Sequence, residues 1–152
     1  MNDIVIRKHE VTDRDRIIEL LKLNIPEYFS PNEEADLIVY LDHHADNYYV
    51  VELNGVIFGC GGFNLSEDGE TGKLSWDFFH PESQGKGLGS ALTKFRIQKI
   101  KEIEGVKTVS VRTSQLAYQF YAKFGLELRE VVKDYWDEGF DLYRLDRDVN
   151  LV

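Results

Sequence analysis

The chain is poor in the residues that staple, break or anchor a fold: among its 152 residues there are one cysteine, one methionine and three prolines. A lone cysteine, Cys60, excludes an intramolecular disulfide framework and any cysteine-rich zinc module. So few prolines, with 43% hydrophobic and 30% charged residues, argue against a long disordered tail. No apolar run approaches the roughly 20 residues needed to span a bilayer. The first residues, Met-Asn-Asp-Ile-Val-Ile-Arg-Lys, lack a basic start followed by an apolar core, so a cytoplasmic location is expected. A chain of about 150 residues buries roughly 70% of its unfolded surface, enough for one domain over 1–152.

Basic residues are absent from one third of the sequence. Between Leu23 and Gly72 there is no Lys or Arg, against ten acids: Glu27, Glu33, Glu34, Asp36, Asp42, Asp46, Glu52, Glu67, Asp68 and Glu70. From Lys73 to Lys133 the balance reverses, with eleven bases and six acids. The net charge of −9 disfavours nucleic acid and anionic membrane as partners. The asymmetry suits a chain that holds a cationic ligand beside an anionic one, although solvated faces alone would give the same pattern.

Periodicity and turn residues give the element order. Ile4 to Glu10 reads as a strand, and Thr12 with Asp15 as a cap for a helix carrying Ile17, Ile18, Leu20 and Leu21. Ser30-Pro31-Asn32-Glu33 starts a second helix that should run to about Asp46. Tyr48 to Leu53 and Val56 to Leu65 are strands joined by Asn54-Gly55, a two-residue hairpin turn. Lys73 to Phe79 is the next strand, and Leu88 to Gly105 a helix with its apolar face on Leu88, Ala91, Leu92, Phe95 and Ile103. Val106 to Arg112 follows as a strand, Ser114 to Phe124 as a helix, and Leu126 to Trp136 and Phe140 to Leu145 as strands. The order is β-α-α-β-β-β-α-β-α-β-β, a mixed α/β sheet with about four helices.

Chemistry concentrates between the third of the central strands and the helix after it. His80-Pro-Glu-Ser-Gln-Gly-Lys-Gly-Leu-Gly-Ser90 sets three glycines at alternate positions where a helix opens, and first-turn amides have no partner inside the helix. Such a loop can cradle phosphate. It is not a nucleotide P-loop, since Lys86 precedes the last two glycines, and it lacks the Gly-x-Gly-x-x-Gly spacing of a dinucleotide fold.

Gln84-Gly-Lys-Gly87-Leu-Gly89 resembles the pyrophosphate loop of the GNAT family of N-acetyltransferases, Gln/Arg-x-x-Gly-x-Gly/Ala. Downstream, Ser114-Gln-Leu-Ala117-Tyr-Gln-Phe120-Tyr121-Ala-Lys-Phe-Gly125-Leu resembles the family's later motif, Asn-x-x-Ala-x-x-(Phe)-Tyr-x-x-x-Gly-Phe. Ser114 stands for the usual Asn and Leu126 for the usual Phe. The likeness extends from Ile4 to about Leu145 and implies a mostly antiparallel GNAT-like sheet.

The resemblance implies acetyl-CoA as co-substrate, no metal, and a primary amine as acceptor, here a cationic small molecule or peptide amine given the acidic stretch. It implies a cofactor site built from Phe78, Phe79, His80, Gln84, Gly85, Lys86, Gly87, Leu88, Gly89, Ser90, Ser114 and Tyr121. Tyr121 is the candidate acid for the leaving thiolate, its phenol being protonated at neutral pH. Asp77 is the candidate base, with Glu70, His80 and water as alternatives. His43-His44 has no third ligand spaced with it, and Cys60 no paired base. The family also admits a homodimer. The rival reading is a catalytically silent acyl-CoA-binding or regulatory module of the same fold.

Overall fold

In the computed structural model, residues 3–152 are described, and their elements follow the expected order. Strands β1 (Ile4–Lys8), β2 (Tyr48–Leu53), β3 (Val56–Leu65), β4 (Thr71–Phe79), β5 (Thr108–Thr113), β6 (Glu127–Asp137) and β7 (Phe140–Asp148) form one sheet in the order β1-β2-β3-β4-β5-β7-β6. Helices α1 (Arg14–Lys22), α2 (Glu33–His43), α3 (Leu88–Lys101) and α4 (Tyr118–Ala122) complete the fold. β4 and β5 pair in parallel, whereas β1–β2, β2–β3, β5–β7 and β6–β7 are antiparallel. Among the described residues no helix is long and apolar enough to cross a membrane.

Contacts divide the chain into two compact units, with the dividing points inside β3, β4 and α3. The first unit comprises residues 1–62 and 76–95. Its hairpin turns where expected, with Asn54 and Gly55 at φ of 53° and 81°, the left-handed pair that matches strand twist. Alternation along β2 sends Tyr48 and Val50 to one face, where they pack with Ile17, Leu20 and Leu21 of α1 and Leu37 and Tyr40 of α2. Val51 faces the other way, onto Leu88 and Leu92 of α3. The Gly59-Cys-Gly-Gly62 run in β3 is a close-approach surface: a Cβ at Gly61 would lie 2.6 Å from the Asp77 Cβ, and one at Gly62 2.2 Å from the Asn47 carbonyl. Cys60 is fully buried in this core.

The second unit comprises residues 63–75 and 96–152. Its core holds Ile97, Ile100, Val109, Val111, Leu126, Leu142 and Leu145. Gly72 lets β4 approach α3, because a Cβ there would meet the Ile100 side chain at 2.6 Å. Val149 N–H closes the tail onto the Lys107 carbonyl at 2.8 Å.

Several boundaries differ from expectation, each for a local reason. Thr12 does not cap α1; a 3-10 turn at Val11–Asp13 precedes it, and Asp13 Oδ2 accepts the Glu10 N–H at 2.8 Å. Asp13 is also gripped by Arg7, a partner sequence spacing does not show. α2 begins at Glu33, with Asn32 and not Ser30 at the cap position, and ends at His43, not Asp46; Ser30 lies in the preceding turn, its N–H donating to Glu33 Oε2 at 2.7 Å. β5 starts at Thr108 because the Lys107 and Thr108 amides both turn to the Glu70 carbonyl. The helix expected over Ser114–Phe124 is only Tyr118–Ala122, since Ser114 Oγ takes the Leu116 N–H at 3.2 Å and makes a turn first. The last strand extends to Asp148 instead of Leu145.

Candidate active site

The glycine loop belongs to the first unit. β4 ends at Phe79, and a 3-10 turn at Pro81–Ser83 follows, capped by the His80 side chain, whose Nδ1 accepts the Glu82 N–H at 3.0 Å. His80 N–H donates to the Phe58 carbonyl at 2.7 Å, so both its ring and its backbone amide are engaged in holding this corner. Gln84 follows in extended conformation and is exposed. Gly85 and Gly87 then take φ of 80° and 78°, values that L side chains avoid, and a Cβ at either would meet nothing within 4 Å. These two glycines are therefore required by backbone conformation, and the space above them is open.

Gly87 is the last residue before the helix: its carbonyl accepts the Ala91 N–H at 3.0 Å. The amides of Gly87, Leu88, Gly89 and Ser90 are consequently first-turn amides without an i−4 carbonyl, at the positive end of a 14-residue helix. Lys86 is exposed beside them. A turn of this kind fits a pyrophosphate, with amides and one ammonium as donors and no side chain in the way. Leu88 contributes only its amide, because its side chain is 2% exposed and lies in the core with Leu92.

β4 has an irregularity just before the loop. Its ladder with β5 runs from Thr71↔Thr108 to Leu74↔Val111 and ends there, although β4 continues to Phe79. Two residues on, Trp76 sits at φ 50°, a conformation a bulky residue rarely adopts. The Phe78 side chain is buried against α1 and α2, while Phe79 covers Gly59, where a Cβ would come within 2.1 Å of its ring. Asp77 is half-buried, with its Cβ over Gly61 on the face covered by Leu92.

Two side chains that sequence reading passed over hold this strand. Tyr48 donates its hydroxyl to the Trp76 carbonyl at 2.7 Å. Asn24 donates Nδ2 to the Leu20 and Phe79 carbonyls at 2.8 and 2.9 Å. Burial raises the Tyr48 pKa well above the ordinary tyrosine value, so the phenol stays a donor throughout the working pH range. A signal was present: a tyrosine at an inward position needs a partner for its hydroxyl.

The second unit carries the later motif. Tyr121 lies in α4, 5% exposed, with its ring edge-to-face with Phe120 at 5.2 Å. Ser114 is 9% exposed and its carbonyl takes the Ala117 and Tyr118 amides, so the residue organises the turn before α4. Gly125, at φ 93°, ends that helical segment, and its carbonyl accepts from Arg147 at 3.0 Å.

With these features in place, comparison decides the family. The profile of the acetyltransferase (GNAT) family matches residues 17–126, which include the loop, β4 and Tyr121. The chain belongs to the GNAT family. Among curated relatives, an amino-acid acetyltransferase of Pseudomonas putida (strain GB-1) is 28% identical over 132 residues, covering 81% of this chain and 28% of that protein. The GNAT chain thus spans little more than a quarter of the length of that relative. Among solved structures, an N-acetyltransferase from Staphylococcus aureus Mu50 superposes with a TM-score of 0.76 at 18% identity, covering 97% of this chain and 99% of the other. The N-acetylglutamate synthase of Neisseria gonorrhoeae, solved with coenzyme A and N-acetyl-glutamate, gives 0.76 at 19% identity over 97% of this chain and 35% of its own. At these identities the two structures establish a shared GNAT fold.

Proposed function

We propose that this GNAT chain moves an acetyl group from acetyl-CoA to a primary amine, as one catalytic domain acting in the cytoplasm. The observation that carries the reading is the loop: two glycines in left-handed conformation leading into four unpartnered first-turn amides, with Lys86 alongside. Gln84, Gly85, Lys86, Gly87, Leu88, Gly89 and Ser90 would bind the pyrophosphate, chiefly through main-chain N–H groups. The substrate supplies a thioester carbonyl for attack by the amine and a thiolate that leaves with the electrons of the broken C–S bond. A β4 amide at Phe78 or Phe79 would donate to the carbonyl oxygen as charge develops there. Tyr121 is assigned the proton taken up by the thiolate sulfur, and Asp77, directly or through water, the proton lost by the attacking amine. Ser114 would support the cofactor arm from the turn before α4.

For the acceptor, the acidic stretch favours an amine bearing a further positive charge. A second reading, an amino acid as acceptor, is favoured by the relative in Pseudomonas putida, which is named for that activity. The two differ in whether a carboxylate on the acceptor helps or hinders. Release of free thiol from acetyl-CoA, followed across diamines, monoamines, amino acids and peptide N-termini, tests the whole proposal. Amine-dependent release with an acetylated product supports transfer. Tight CoA binding without release for any amine would favour the silent acyl-CoA-binding module.

A further inference from the structure

Trp76 at φ 50° holds a left-handed conformation that is strained for a bulky side chain and must be kept in place by its surroundings. The first unit supplies what holds it. On one side the Trp76 ring stacks with Phe29, centroids 6.4 Å apart and planes within 10°, and tilts against Tyr40 at 6.1 Å. On the other, the main chain is pinned by polar side chains reaching in from different elements. Tyr48, fully buried on β2, binds the Trp76 carbonyl. Asn24, 7% exposed after α1, bridges the Leu20 and Phe79 carbonyls. The thiol of Cys60 lies 3.9 Å from the Phe78 carbonyl, a long and weak contact between them.

A trans peptide points its C=O and N–H in opposite directions, so fixing one fixes the other. Tyr48 thereby sets the Trp76–Asp77 peptide. Asn24 sets the Phe79–His80 peptide, which is fixed a second time where His80 N–H meets the Phe58 carbonyl at 2.7 Å. The Phe78 and Phe79 amides lie between these two pinned peptides. We propose that Tyr48 and Asn24 are positioning residues for acetyl transfer, aiming one β4 amide, at Phe78 or Phe79, at the acyl carbonyl by clamping β4 on both sides of it. This rests on the acetyltransferase reading above and adds which side chains make the oxyanion donor rigid. Neither residue touches the acyl group in this account; each acts through the backbone of β4.

The direct readout is the carbonyl stretch of bound [1-13C]acetyl-CoA in difference infrared spectra, measured without acceptor. An aimed amide lowers that frequency relative to free acetyl-CoA. Tyr48→Phe keeps the ring and should return the band at least halfway to its free position, with CoA affinity within twofold and kcat down about tenfold or more. Asn24→Ala should act in the same direction and serves if Tyr48→Phe does not fold. Ile17→Val, a core truncation in the same unit, controls for stability and should leave the band unmoved at a comparable fall in Tm. An unchanged band and kcat in both folded positioning variants would overturn the inference while leaving the acetyltransferase reading intact. An equal band shift in Ile17→Val would overturn it too, by making the effect one of general loosening. A wild-type protein that binds no acetyl-CoA would instead overturn the acetyltransferase reading, and the inference with it.

Discussion

Glu33 turns its carboxylate back onto the Ser30 N–H at 2.7 Å, so the first acid of α2 is used to hold the turn that leads into the helix. Other members of the acidic stretch are likewise paired. Asp42 meets Arg14 at 2.5 Å, Glu52 meets Arg7 at 3.3 Å, and Glu70 meets Lys107 at 3.0 Å. Glu34 is 3.8 Å from Lys22. Glu27, Asp36 and Asp46 are exposed. The field that a cationic acceptor would meet is therefore weaker than ten unpaired charges would make it.

The acceptor preference follows from that smaller field. A diamine should exceed its neutral monoamine analogue in kcat/KM by about two- to fivefold at low salt, the scale of exposed charge interactions. The advantage should shrink as salt rises, since screening sets in beyond roughly 8 Å at physiological ionic strength. Glu27→Gln, Asp36→Asn and Asp46→Asn together should remove it and leave the KM for acetyl-CoA unchanged. If glutamate outperforms both amines, the amino-acid reading replaces the cationic one.

Tyr121→Phe separates chemistry from packing. The ring is buried and the substitution retains it, so the fold and CoA affinity should persist. Loss of a positioned acid should lower kcat about 10²–10⁴-fold. Stopped-turnover assays at saturating acetyl-CoA measure this, and a kcat within twofold of wild type would reduce Tyr121 to a core aromatic.

Acid stability has a named contributor. Arg7 donates to both Asp13 oxygens, at 2.8 and 3.0 Å, and these bonds hold the Asp13 carboxyl below the usual carboxylate range. With its folded pKa depressed, Asp13 stabilises the fold fully above its ordinary value of 3.8 and loses that contribution as pH falls through the folded value. Asp13→Asn should therefore lower Tm clearly at pH 7 and much less near pH 2. Thermal melts across this window check it, and parallel curves for the two proteins would remove Asp13 from the account.

Much of the fold was legible because its punctuation is strong. Asn54-Gly55 located the β2–β3 hairpin to the residue, and the glycine run before Leu88 fixed the start of α3. Ends set by long-range bonds were not legible: β5 starts late because Lys107 answers to Glu70, 37 residues away. α4 was overestimated because the Ser114 hydroxyl competes for the amides that a helix would use. In the candidate site, the loop could be read from its glycines, since few other demands call for two of them in left-handed conformation. The left-handed Trp76 could not, because nothing in a bulky aromatic announces positive φ, and Tyr48 looked like one more inward strand residue until its hydroxyl had a partner. Charge pairing across the sequence, such as Arg14 with Asp42, was equally invisible to a count of acids.

If the Gly85–Ser90 turn holds the pyrophosphate of the acyl donor, calorimetric titration of CoA will register damage to that turn. Gly87→Val places a branched side chain at φ 78°, in open space where the backbone should meet phosphate. Gly105→Val imposes the same left-handed strain at φ 91°, beyond the far end of α3, and controls for stability alone. The Kd for CoA should be at least about tenfold weaker in folded Gly87→Val, by the roughly 1.4 kcal/mol that a tenfold change represents, and unaltered in Gly105→Val. Equal affinity for CoA in wild type and folded Gly87→Val would contradict it.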